Sequence, residues 1–233
     1  MKSISRKCGL NLLVFLILSL LLFSNCKEET KTIKDNGKDY YPLTLGSIYI
    51  YEIDSFLYDG INKRIDSTTQ LIKDVVVKLL IDSTGQENFR MERSLQIDSL
   101  TWRPYLSYTS ALHPLSLQSY KDNHREIRMT FPITDFKTWD GNLHSTKDFQ
   151  EFRYQFIQEP FEVGGTIYDN TITVLHNEFY EPRPPLQPLF DIYKKEVFAK
   201  GIGLIYRVDR DLDLQDDSGY EIILRLKEYN IKE

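Results

Sequence analysis

Four histidines are the first candidates for chemistry in this chain. They are His113, His124, His144 and His176, and no two lie within ten residues of each other. None belongs to an HxH or HExxH arrangement, so no spacing suggests a zinc site. The acidic stretch DRDLDLQDDSGYE is the next candidate. Asp209, Asp211 and Asp213 alternate, and Asp216 and Asp217 follow. Alternating carboxylates on one strand face could hold a hard cation. A calcium loop, however, needs Gly where this chain has Leu214 and Glu where it has Tyr220. A solvated hairpin end is therefore expected, with no metal and no cofactor. Gly201 and Gly203 begin like a phosphate-cradling fingerprint, but Tyr206 fills the sixth position and no helix follows. A bend or bulge between strands accounts for both glycines. No GxSxG elbow is present. Carboxylate pairs cannot be judged by spacing, because the fold sets the partners. No catalytic residues emerge, and no enzyme is expected.

The two cysteines carry more information. Lys2, Arg6 and Lys7 precede an apolar run from Leu10 to Phe23, followed by Ser24, Asn25 and Cys26. A basic start, a short apolar stretch and a small-residue exit make an export signal. The run has 14 residues, against the ~20 that span a bilayer. With Cys26 directly behind it, the segment resembles a bacterial lipoprotein signal, in which the cysteine becomes the lipidated first residue. Phe23 stands where Leu is usual, and Asn25 where Gly, Ala or Ser is usual. The resemblance implies lipidation at Cys26 and a membrane partnership through that lipid. The next residues, KEE, resemble the signal that sends some Bacteroidota lipoproteins to the outer cell surface. The expected location is the outer membrane, lipid-anchored, on its periplasmic face or at the cell surface.

Three segments follow. Residues 1–25 are the signal peptide. Residues 26–39 are a lipidated flexible tether, since KEETKTIKDNGKD holds a single apolar residue, Ile33. Fully extended, that tether would reach roughly 45 Å. Residues 40–233 form one β-rich domain. Without the signal, 208 residues remain, enough for one good core. They hold 26 basic and 34 acidic residues, a net charge of −8. That sign repels phosphate backbones and argues against nucleic-acid binding. Cys8 leaves with the signal and Cys26 carries lipid, so thiol catalysis and Cys-based metal sites are excluded. The 15 Tyr, 13 Phe and 2 Trp supply a large apolar area, with a polar edge on each Tyr.

From Tyr40 onward the pattern has period two. In SIYIYEIDSF, Tyr49, Tyr51 and Ile53 share a face, and in FRYQF so do Phe152, Tyr154 and Phe156. TIYDNTITVL, EVFAKGIGLIYRV and GYEIILRLKEY read as strands by the same enrichment in β-branched and aromatic residues. The triplet Ile-Asp-Ser recurs at Ile53, Ile65, Ile81 and Ile97, consistent with strand-end punctuation. QLIKDVVVKLLIDS has a helical apolar face as well, but its three consecutive Val favour a strand, with STGQ as the following turn. Four prolines between Glu181 and Pro188 predict an extended, stiff loop.

The stretches YYPLTLGSIYIYEIDSFLYD, KTWDGN and VFAKGIGLIYRVD resemble a group of uncharacterised Bacteroidota envelope lipoproteins. AKGIGLIYR is also similar to the closing strands of exported β-rich half-barrel proteins, which include lipoprotein carriers. The expected fold is all-β and mainly antiparallel: a curved sheet, open barrel or sandwich of roughly eight to twelve strands. The aromatic faces belong either to a packed core or to an apolar groove. The expected function is a non-enzymatic envelope lipoprotein binding an apolar ligand or another envelope component. A surface hydrolase of glycans or lipids and a structural accessory of an outer-membrane complex are the alternatives.

Overall fold

The computed structural model describes residues 30–33, 36–183 and 187–232; for residues 178–189 only the backbone is considered. The export signal, Cys26 and residues 184–186 of the Pro-rich stretch lie outside the described residues.

Twelve strands form one antiparallel sheet. They are β1 (Ile48–Asp59), β2 (Arg64–Ile81), β3 (Glu87–Gln96), β4 (Trp102–Leu112), β5 (Ser116–Lys121) and β6 (His124–Thr130), then β7 (Thr138–Asp140), β8 (Glu151–Val163), β9 (Thr166–Arg183), β10 (Gln187–Ala199), β11 (Gly203–Asp213) and β12 (Ser218–Asn230). The order across the sheet is β6-β5-β4-β3-β2-β1-β12-β11-β10-β9-β8-β7. The first and last strands therefore pair in the middle, and the sheet's two edges are consecutive in sequence. Curling brings those edges together into a nearly closed barrel.

The seam between the edges is closed mostly by side chains. Among the described residues one main-chain bond crosses it, from Ile127 N–H to the Gly141 carbonyl at 2.8 Å. The Trp139 indole N–H donates to the Ile127 carbonyl at 2.8 Å. The Tyr154 hydroxyl donates to the Thr130 carbonyl (2.8 Å) and accepts from the Thr130 N–H (3.0 Å), replacing a missing neighbouring strand. A side chain at Gly141 would collide with the Phe152 ring, since a Cβ there would lie 2.5 Å from it. KTWDGN is thus the seam motif.

One end of the barrel is plugged. Tyr40, Phe131, Ile133, Ile157, Ile172, Phe198 and Ile205 are buried within one apolar cluster. Burying side chains of this size stabilises by roughly 1.5–3 kcal/mol each. The described part of the segment expected to be free tether, residues 31–33 and 36–39, joins the plug. Ile33 is buried and its N–H donates to the Ile133 carbonyl at 2.9 Å. The Lys31 ammonium meets Glu159 at 3.1 Å. Gly37 has φ +71° and sits where a Cβ would be 2.4 Å from Ile133, a conformation and a fit that only glycine meets without strain. The lone apolar residue of an otherwise polar stretch is the contact that docks it.

Other expectations fare unevenly. Tyr49, Tyr51, Phe152 and Tyr154 are buried as the alternation requires. Phe156 is 59% exposed. A bulge with positive φ at Phe156 and Gln158 interrupts the β8–β9 register, turning Phe156 outward and burying Ile157. QLIKDVVVKLLI lies in β2, and Asp82 closes the next turn by accepting from the Thr84 and Gln86 N–H groups. Asp98 does the same for Leu100 and Thr101. The triplet at Ile53 is interior to β1, so it marks no strand end. Pro182 and Pro188 face each other at the ends of β9 and β10, where strand replaces much of the expected loop.

Candidate functional site

Above the plug the lumen turns polar, because charged residues stand at inward positions of apolar strands. Register aligns Tyr49, Asp74, Arg93 and Leu106 across β1–β4. A second row aligns Tyr154, Val174, Glu196, Arg207 and Leu224 across β8–β12. Each row contains an ion network.

In the first, Arg93 holds Asp74 through two bonds, Nε to Oδ1 and Nη2 to Oδ2, both 2.6 Å. The Tyr108 hydroxyl donates to Oδ2 at 3.0 Å. A fork on a carboxylate is the strong form of this contact. Burial opposes the Arg93 charge, but Asp74 outweighs it and keeps the guanidinium protonated. Burial, then Asp74, pushes the Tyr51 and Tyr108 phenols well up, so both remain hydrogen-bond donors.

The second network crosses the seam. Arg128 of β6 donates to Glu196 Oε1 of β10 at 2.6 Å and to the Tyr41 hydroxyl at 3.3 Å. His176 of β9 lies 3.2 Å from Glu196 Oε2, with its ring 4.0 Å from that of Phe152. Burial raises the Glu196 carboxyl, yet Arg128 and His176 overcome it and hold the group well below the usual range. Burial lowers His176 more than Glu196 raises it. The contact is therefore a hydrogen bond from a neutral imidazole, Nε2–H to carboxylate. Nδ1 is then a buried acceptor without a partner. Arg207 approaches Glu196 at 3.9 Å and bonds Asp209 at 2.9 Å.

Between the two networks lies a cavity of about 270 Å³, at the small end of ligand sites. Its lining includes Tyr41, Tyr49, Tyr51, Tyr108 and both arginine–carboxylate pairs. Lys121, His124, Glu126, Lys147, Lys194 and Arg207 complete the charged part of the wall. The lumen is thus a polar chamber above an apolar floor; of the aromatic faces read from the sequence, Phe152 and Tyr154 are core, Tyr49 and Tyr51 belong to the core and also line the chamber, and Phe156 is exposed.

Little else supports chemistry. A carboxylate held ionised by arginine cannot deliver a proton as a general acid. Of the alternating acids, Asp209 bonds Arg207, and Asp213 accepts from the Gln215 and Asp216 N–H groups in the β11–β12 turn. Gly201 lies in the β10–β11 turn and Gly203 opens β11, with φ of 74° and 108°. His113 approaches the Tyr120 hydroxyl at 3.5 Å, apart from the ion networks. His124 lines the cavity with His176. No trio of His, Cys, Asp or Glu among the described residues is arranged to hold a metal.

No protein-family model matches the sequence, and no curated protein matches it. Among solved structures, the chain is similar to a Bacteroides fragilis protein provisionally described as exported with a YmcC-like fold, at 10% identity and TM-score 0.34, over 81% of this chain and 98% of that one. It is also similar to a Parabacteroides distasonis protein provisionally described as a lipoprotein, at 9% identity and TM-score 0.37, again over 81% and 98%. A Vibrio parahaemolyticus domain, provisionally described as an outer membrane lipoprotein-sorting protein domain, shares 10% identity at TM-score 0.24, over 83% and 88%. These are likenesses of outline between distant sequences, and they transfer no residue roles.

Proposed function

We propose that this chain is a non-enzymatic, lipid-anchored envelope protein that holds a small ligand in the lumen of its barrel. One observation carries this reading. The lumen keeps a chamber between two ion networks whose carboxylates, Asp74 and Glu196, are already saturated by arginine. Such groups shape and polarise a site and are not poised to donate a proton to a substrate. The apolar-ligand version is the weaker one, because the apolar part of the lumen is filled by its own side chains.

In this reading the anchor is a lipid on Cys26, directly behind the apolar run of the export signal. Cys26→Ser should release the protein into the soluble fraction.

Native mass spectrometry of protein purified from its own membrane tests the reading. A small molecule should remain bound, and a panel of glycan and ester substrates should not be turned over. Ligand-free protein would contradict the binding part. Turnover abolished by changing one carboxylate, without unfolding, would make the protein an enzyme.

A further inference from the structure

We propose that the lumen ligand carries an anionic group, a carboxylate or a phosphate, held by Lys121, Lys147 and Arg207. The proposal deepens the lumen-binding reading and rests on it.

Charge carries it. The chain as a whole has a net charge of −5. The chamber has the opposite sign, with six Lys and Arg against three Asp and Glu in its lining. Of those acids, Asp74 is neutralised by Arg93 and Glu196 by Arg128, whereas Glu126 has no ion-pair partner among the described residues, so the wall keeps one uncompensated carboxylate among its cations. Asp209, outside the lining, takes up Lys194 at 3.6 Å and Arg207 at 2.9 Å. Lys121 and Lys147 pair with no acid among the described residues. Both are exposed, Lys121 at the end of β5 and Lys147 in the loop between β7 and β8. In the same lining, Arg207 Nε is buried without an acceptor, although the side chain as a whole is only partly buried. Two lysines without acid partners and an unsatisfied guanidinium N–H on one wall suit an acceptor-rich anion. A concave wall of one sign also concentrates ligands of the other. Protonated phenols at Tyr51 and Tyr108 add donors and no competing negative charge.

A free anion and the headgroup of an amphiphile share this chemistry, and the probes separate them. Detergent-solubilised full-length protein is titrated calorimetrically with inorganic phosphate, citrate, dihexanoyl phosphatidate and, as a neutral control, glucose. At least one anion should bind, more weakly as salt rises, while glucose does not. Phosphate or citrate binding identifies a free anion; binding of dihexanoyl phosphatidate alone identifies a headgroup with its tail. Lys121→Glu with Lys147→Glu should weaken the bound anion at least tenfold. Both sites are exposed, so the melting midpoint should hold; if it falls, Lys121→Gln with Lys147→Gln replaces the pair, with at least a threefold loss expected. No anion binding, binding unchanged in the substituted protein, or tighter binding of glucose would overturn the proposal. A neutral molecule co-purifying in the lumen would overturn it too, while leaving the lumen-binding reading intact.

Discussion

The two ion networks of the lumen look alike in composition and differ in what they join. Asp74 and Arg93 sit on neighbouring strands, β2 and β3, which a full hydrogen-bond ladder already holds together. Arg128 and Glu196 sit on β6 and β10, with the sheet's open edges between them. The first pair decorates a wall that exists without it. The second replaces backbone pairing that the topology cannot supply. Similar buried charges thus serve local polarity in one place and barrel closure in the other.

Breaking the seam pair should have the largest effect. Arg128→Met leaves Glu196 buried beside a neutral histidine, a loss of about 3–5 kcal/mol. Denaturant unfolding measures it, and hydrogen exchange at the Ile127 amide should speed up well before global unfolding. A double variant, Arg128→Met with Glu196→Leu, should recover most of the loss, since removing both charges removes the desolvation penalty. Arg93→Met should cost less, about 2–3 kcal/mol, because Tyr108 still donates to Asp74. It should leave exchange at Ile127 unchanged. Equal behaviour of the two single variants would erase the distinction between wall and seam.

Tyr154→Phe probes the seam without charge. It leaves the Thr130 N–H and C=O unpaired, for about 1–3 kcal/mol, read as a drop in denaturation midpoint. The smallest effect is a pH dependence. Burial lowers His176 in the folded protein, so the unfolded chain binds a proton first as pH falls. Stability is therefore full above the unfolded histidine value of about 6.5 and declines on acidification below it. Glu196, held low, adds a further loss only at more acid pH. His176→Gln should flatten the profile between about pH 6.5 and 5 relative to wild type.

The sheet was legible because alternation survives in strands such as β1, where Tyr49 and Tyr51 face inward. Phe156 escaped because a bulge reverses parity, and nothing in FRYQF announces positive φ. Half of the site also left a trace. Asp74 stands between Ile72 and Val76, and Arg93 between Met91 and Leu95, each a charge in apolar register. Such a charge must find a partner inside, yet only the strand register says which. Arg128 left no trace, because Ile127, Arg128 and Met129 are all buried where the seam covers both faces of β6. The tether was misjudged for a related reason: composition counts one apolar residue in KEETKTIKDNGKD, whereas Ile33 acts through the pocket it fills.

If the space between the two networks is a ligand chamber and not a packing defect, a crystal structure of protein purified from its own membrane should show it. Density for a non-protein molecule is expected between the Asp74–Arg93 and Arg128–Glu196 pairs, with both pairs intact. A lumen closed by the protein's own side chains, or holding water alone, would contradict it.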